Sequence, residues 1–406
     1  TLQSSTNGQR YYLKDTAGTN TCDYLSLRDS GVTGGATWAA GANTTYVSGN
    51  IGWDTNPAVN RYWVTGGNGY WDDTSNWSTS SGGASGAAVP IGENVYFDAS
   101  SGSGDVFIPS GTTFTGNVLD CTGFTGTFIG TGTFSIYDDF KLVSGMTNLY
   151  VGATTIRTNG SSKDFTTGTK TLLGTLTFDT VADTVTLQDA ITSNSTGTLT
   201  SGTLDANNKN VTFTTFSSTN SNTRTLTMGS GTWEVTGTGT VWSFGTITGL
   251  TLNQDTSTIK ITNATSQTKT FAGGGETYYN VWMTGSGTGA FAFTGSNTFN
   301  DFKVDTPPHT ISFTAGTTTT VTSFTVSGTS GNLMTIGSLT SATHTLAKAG
   351  GGTISSDYLS ISYSTATPST TWYAGTHSTD GGNNSGWVFS APPAPTGSTG
   401  FFLFFS

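Results

Sequence analysis

Three short stretches decide the fold: Tyr279-Asn280-Val281-Trp282-Met283, Asn300-Asp301-Phe302-Lys303-Val304 and Thr322-Ser323-Phe324-Thr325-Val326. Their starting positions, 279, 300 and 322, are almost evenly spaced, and each stretch carries two apolar residues at i and i+2. In extended chain those two positions share a face, so one side of each strand is expected to be buried. Gly285-Ser286-Gly287, Pro307-Pro308 and Gly328 punctuate the intervals with turn formers. A repeat of roughly 20–25 residues made of short strands and Gly turns is the mark of a β-solenoid, in which each strand stacks on its equivalent in the next coil. Similar strands are expected at 139–142, 175–178, 210–214 and 232–235, with the spacing least regular between positions 145 and 275. A string of β-sandwich domains is the rival. It predicts turns every 8–12 residues or so but gives no reason for matched strands at these spacings. The reading is therefore all-β: a right-handed parallel β-solenoid (β-helix).

Composition agrees with this reading. Of 406 residues, 87 are Thr, 47 Ser and 56 Gly, while only 9% are charged and Glu occurs three times, at Glu93, Glu234 and Glu276. Thr and aromatic residues favour strands and Gly supplies turns, so an ordinary α/β enzyme is excluded. Ten Trp, 24 Phe and 14 Tyr are too many for a disordered polar tract. A net charge of −10 with scattered Lys and Arg argues against a nucleic-acid partner. Cys22 and Cys121 have no ligand partners at zinc-site spacing, so two unrelated thiols are expected. The longest apolar run, Phe401-Phe402-Leu403-Phe404-Phe405, is far short of the roughly 20 residues that span a bilayer. No membrane insertion is expected, nor a signal peptide, since no basic region followed by an apolar stretch is visible at the start.

A second repeat acts at long range. Asp23-Tyr24-Leu25-Ser26 matches Asp357-Tyr358-Leu359-Ser360 at an offset of 334, which also carries Thr37-Trp38 onto Thr371-Trp372 and Gly52-Trp53 onto Gly386-Trp387. Residues 1–57 then read as the closing segment of a partial first module. Residues 58–390 read as a complete solenoid, with an opening cap at 58–110, coils at 111–355 and a closing cap at 356–390. Asp54-Thr55-Asn56-Pro57 is the joint, where Pro opposes strand pairing. Residues 391–406 read as a Pro/Gly/Ser spacer followed by an apolar docking tail, Phe401, Phe402, Leu403, Phe404 and Phe405. The tail is suited to a partner's groove or sheet edge.

The opening Arg61-Tyr62-Trp63-Val64-Thr65-Gly66-Gly67-Asn68-Gly69-Tyr70-Trp71 with Thr74-Ser75-Asn76-Trp77-Ser78, followed by Val89-Pro90 and Asn94-Val95-Tyr96-Phe97-Asp98, resembles a module of tailed-phage virion proteins. The ending Thr371-Trp372-Tyr373-Ala374-Gly375 with Gly381-Gly382-Asn383-Asn384-Ser385-Gly386-Trp387 shares that resemblance. Related openings occur in adhesins of the autotransporter-passenger kind. The sharp motifs are confined to the two ends of residues 61–390. The resemblance implies a fibrous, surface-displayed protein on a virion or in the extracellular space. Its partners would be copies of itself and other virion or filament subunits, and it would serve adhesion or host recognition.

Residues suited to chemistry are sparse. Asp72-Asp73 and Asp138-Asp139 are adjacent pairs, and neighbours on a strand point to opposite faces. A glycosidase needs two carboxylates about 5–10 Å apart; stacked coils could supply them through Asp179 with Asp205, or Asp301 with Glu276. A polysaccharide-degrading spike is therefore a minor alternative, and the expected protein is not an enzyme. His309, His344 and His377 lie far apart, and nothing fixes a triad. Calcium is a further possibility at Asp380-Gly381-Gly382-Asn383-Asn384, although the nonapeptide calcium repeat is absent. Trp63, Trp71, Trp77, Trp372 and Trp387 are candidates either for capping the solenoid or for stacking on cell-surface glycans, with capping the better fit to their position at module ends. The leading expectation is a non-enzymatic fibre without cofactors. Its main rival is a secreted bacterial or archaeal filament or adhesin subunit that polymerises through its ends.

Overall fold

A computed structural model describes residues 1–393 apart from 7, 23, 42–43, 54–59, 148–151 and 159. The apolar tail Phe401 to Phe405, the joint at 54–57 and Asp23 of the long repeat therefore lie outside the described residues. Helix among the described residues is limited to two three-residue turns, Thr74–Asn76 and Ala99–Ser101. The strands stack into a parallel β-solenoid of about 16 turns.

The deciding stretches sit where their alternation requires. Ten strands, from Thr171–Leu172 to Ser364–Thr367, form one parallel sheet. In it Val281 lies opposite Phe302 and Phe302 opposite Phe324, while Met283, Val304 and Val326 align in the next inward row. The spacing of the three stretches is thus the length of a coil. The Phe302 and Phe324 rings stack at 5.3 Å, close to the spacing of adjacent strands. A second sheet follows the module from Asn60–Trp63 to Thr379–Asp380. Three-stranded sheets complete the two ends.

Coil length varies more in the middle of the chain. The step from Val185 to its partner Leu204 is short, whereas that from Leu226 to its partner Leu252 is long. In the strand Leu176–Leu187 the register breaks between Phe178 and Thr184. Val181, at φ 60°, stands there in a conformation that β-branched residues rarely adopt. Gly202 faces this bend at φ 72°, and an added Cβ would run into Thr180 Oγ1.

A single apolar core runs from Trp63 to Trp387. Polar ladders continue the stacking outside it: Thr113 and Thr133 hydroxyls meet at 2.9 Å, as do those of Thr196 and Thr215. Arg224 braces one corner, buried, with its five N–H groups donating to Ser218 Oγ and to the carbonyls of Ser218, Asn222, Thr246 and Thr248. The opening end closes with the one antiparallel strand pairing among the described strands, Trp77 opposite Trp63. The Trp71 and Trp77 rings meet edge to face at 4.9 Å, and Trp77 Nε1 donates to the Trp71 carbonyl. At the closing end, Trp372 and Trp387 meet at 5.2 Å.

The first segment reproduces much of the closing end, although Trp38 Nε1 lacks the bond that Trp372 Nε1 donates to the Thr367 carbonyl. Leu27 lies between Leu2 and Tyr46 as Ile361 lies between Ile336 and Asp380, each at the 334 offset. Trp53 Nε1 donates to Ser30 Oγ at 3.0 Å, and Trp387 Nε1 donates to Ser364 Oγ at the same distance. Asn50 accepts from Ser30 N and donates to the Leu27 carbonyl, as Asn384 accepts from Ser364 N and donates to the Ile361 carbonyl. Trp38 and Trp53 repeat the edge-to-face contact at 5.7 Å. This segment has a small core of its own, Leu27, Val32, Ala40 and Trp53.

Candidate functional site

Most of the acidic residues singled out by the sequence are tied to structure, whereas Asp301 Oδ1 is buried without a hydrogen-bond partner. Asp179 lies opposite Ser201, which donates to it at 2.6 Å, and pairs with Arg157 at 2.5 Å. Asp205 lies opposite Thr186, well further along that strand, and caps its own turn by accepting from Asn207 N. Asp301 faces Asn280, four positions on from Glu276, a separation of roughly 13 Å along a strand. Neither proposed pair converges. Asp73 caps the turn Thr74–Asn76, Asp138 pairs with Lys163 at 2.8 Å, and Asp139 accepts from Asp164 N.

The histidines divide by burial. His344 is buried with Nδ1 2.9 Å from Ser338 Oγ, and that hydroxyl also lies 3.2 Å from the Tyr363 carbonyl. His309 is buried with Nε2 on the Gly285 carbonyl. Exposed His377 stacks on Tyr358 and meets Asp357 at 2.8 Å. In the proposed calcium loop, Asp380 Oδ1 accepts from Gly382 N and from the Asn384 amide. Among the described residues no three His, Cys, Asp or Glu side chains group as metal ligands. Cys121 is buried, which pushes its thiol pKa up, and both cysteines are free. No helix of the described residues is long and apolar enough to cross a membrane.

The end tryptophans belong to the core. Trp63, Trp71, Trp77 and Trp372 are at most 1% exposed and Trp387 is 9% exposed. A ring so enclosed has no face to offer a sugar.

A solvent-facing surface of different character lies on the ten-stranded sheet. Thr212, Glu234, Lys260, Trp282, Lys303 and Thr325 fall in register, one per coil, as an outward row. The half-buried Trp282 indole lies between two ammonium groups, Lys260 Nζ at 5.1 Å and Lys303 Nζ at 4.1 Å from its ring centroid. Cations are attracted to the negative face of an aromatic ring, and indole is the strongest such partner. Trp282 Nε1 donates to Asp305 Oδ2 at 2.9 Å, fixing the ring. Beside it runs a groove of about 360 Å³ whose lining includes Asn210, Thr232 and Thr258. The row combines an apolar edge, charges of both signs and short hydroxyl and amide groups, which suits contact with a polyhydroxylated surface. The sequence held a signal for it: with Val281 and Met283 inward, Trp282 must face out.

No protein-family model matches the chain, and neither a curated protein nor a solved structure does.

Proposed function

We propose that the protein is a structural fibre or appendage displayed on a virion surface, serving adhesion or host recognition. The observation that carries this reading is the uninterrupted core from Trp63 to Trp387 inside a stack of parallel coils. Each coil contacts only its neighbours, so such a chain gains length and stiffness from a low-complexity sequence. Adhesion falls to the outward row around Trp282, whose side chains are free of core duties. A self-polymerising filament or adhesin subunit is the second reading, favoured by the duplication of the closing element at positions 1–53 and 335–387.

Electron microscopy at rising protein concentration separates the two. About 16 coils stacked at about 4.8 Å per strand give a rod of roughly 75 Å. Discrete rods of fixed length are expected for a fibre anchored elsewhere. Open-ended filaments that disappear when residues 401–406 are deleted would replace the first reading with the second.

A further inference from the structure

The chain has only five arginines. Arg61 is held by Glu93 at 3.2 Å and Arg224 is buried on carbonyls, so both serve the scaffold. The other three, Arg10, Arg28 and Arg157, line a single cleft of about 740 Å³ between the first segment and the flank of the long solenoid. We propose that this cleft binds the carboxylate of an acidic saccharide.

The charges in the cleft are not evenly matched. Asp179 is taken by Arg157, and Asp29, 3.9 Å from Arg28 Nε, also accepts from Gly8 N. Arg10 Nε donates to the Gly49 carbonyl at 2.6 Å, and its two terminal amino groups have no acceptor among the described residues. Among the described lining residues, three guanidiniums face two carboxylates, which leaves one net positive charge in the lining of a cleft on a chain of net −10. Asp183, beyond Val181, is engaged by Thr158 Oγ1 and Gly160 N.

The shape and lining select the ligand class. A free guanidinium fork matches a carboxylate in bidentate geometry. Tyr12, 51% exposed, offers an aromatic edge or face to the apolar side of a pyranose. Ser48, Asn222 and Thr223 bring hydroxyl and amide groups for sugar hydroxyls. One surplus positive charge suits a single carboxylate and is too little for a polyphosphate. The volume lies within the range of ordinary ligand sites, which favour junctions between structural units. For its biological sense the proposal rests on the adhesive reading above.

The test is calorimetric titration of the full chain with a galacturonate trisaccharide, the matching neutral galactose trisaccharide, and inorganic phosphate. The acidic sugar is expected to bind at least tenfold more tightly than either. Arg10→Gln is expected to lower that affinity at least fivefold, and Arg10→Lys, which keeps the charge without the fork, to fall between. Unchanged affinity in Arg10→Gln, equal binding of the neutral sugar, equal binding of phosphate, or no binding of the acidic sugar each overturns the proposal. Fixed-length rods without sugar binding would remove this ligand and leave the fibre reading standing. Sugar binding by a chain that forms filaments would do the reverse.

Discussion

Buried imidazoles couple this solenoid to pH, His344 most strongly. His344 is 1% exposed, its ring packs on Phe313, and burial pushes its pKa down from 6.5 to about 4. The unfolded chain takes up a proton near pH 6.5, while the folded chain resists until about pH 4. Its neutral-form contribution is therefore whole above pH 6.5 and declines as pH falls toward 4. At about 1.36 kcal/mol per pKa unit the full loss is about 3–4 kcal/mol. His309 is also lowered by burial, so it adds to the same slope. His344→Gln removes only the share belonging to His344. Denaturant midpoints at pH 7 and pH 4.5 are expected to drop further for the natural chain than for the variant. Equal drops would show that His344 takes up no proton on unfolding in this range.

At the scale of a strand, adjacent residues have opposite energetic weight. Phe302 is fully buried between Val281 and Phe324, whereas its neighbour Lys303 faces outward over Trp282. Phe302→Ala is expected to cost about 3–5 kcal/mol, the range for a large aromatic leaving a cavity. Lys303→Ala loses a cation–aromatic contact and a part-exposed ion pair with Asp305 at 3.4 Å, and should cost about 1 kcal/mol or less. Urea unfolding of both variants checks this, and similar costs would contradict the inward and outward assignment. The same alternation made this stretch legible from sequence, because coils of nearly equal length keep equivalent strands in view of one another. Between positions 145 and 275 that regularity is lost, with the short step from Val185 to Leu204 followed by the long one from Leu226 to Leu252. A bend such as that at Val181 absorbs residues without changing the stack, so periodicity fades although the fold does not. Trp282 could be placed on the outer face by counting alternate residues. The arginine cleft could not, because nothing local brings Arg10 beside Arg157.

At the scale of the whole molecule, stability in a stack is the sum of coil terms and neighbour contacts, so the ends matter out of proportion to their size. The opening Trp cluster covers the first coil: Trp71 touches Trp77 and Phe97 and reaches Phe114, Phe128 and Phe134 from the next coils. Trp71→Ala should remove about 3–5 kcal/mol there. In a molecule held only by nearest neighbours, that loss stays near the opening end. Hydrogen exchange is then expected to quicken in the strands Asp105–Ile108 and Thr127–Gly130 and to fade with each further coil. The strand Thr318–Val326, far along the stack, should keep its protection. The continuous core sets the opposing expectation: rings in contact from coil to coil could bind the whole stack into one cooperative unit. In that case every strand would lose protection together by the same free energy. A graded profile would identify a rod able to fray at its tip while the shaft stays rigid.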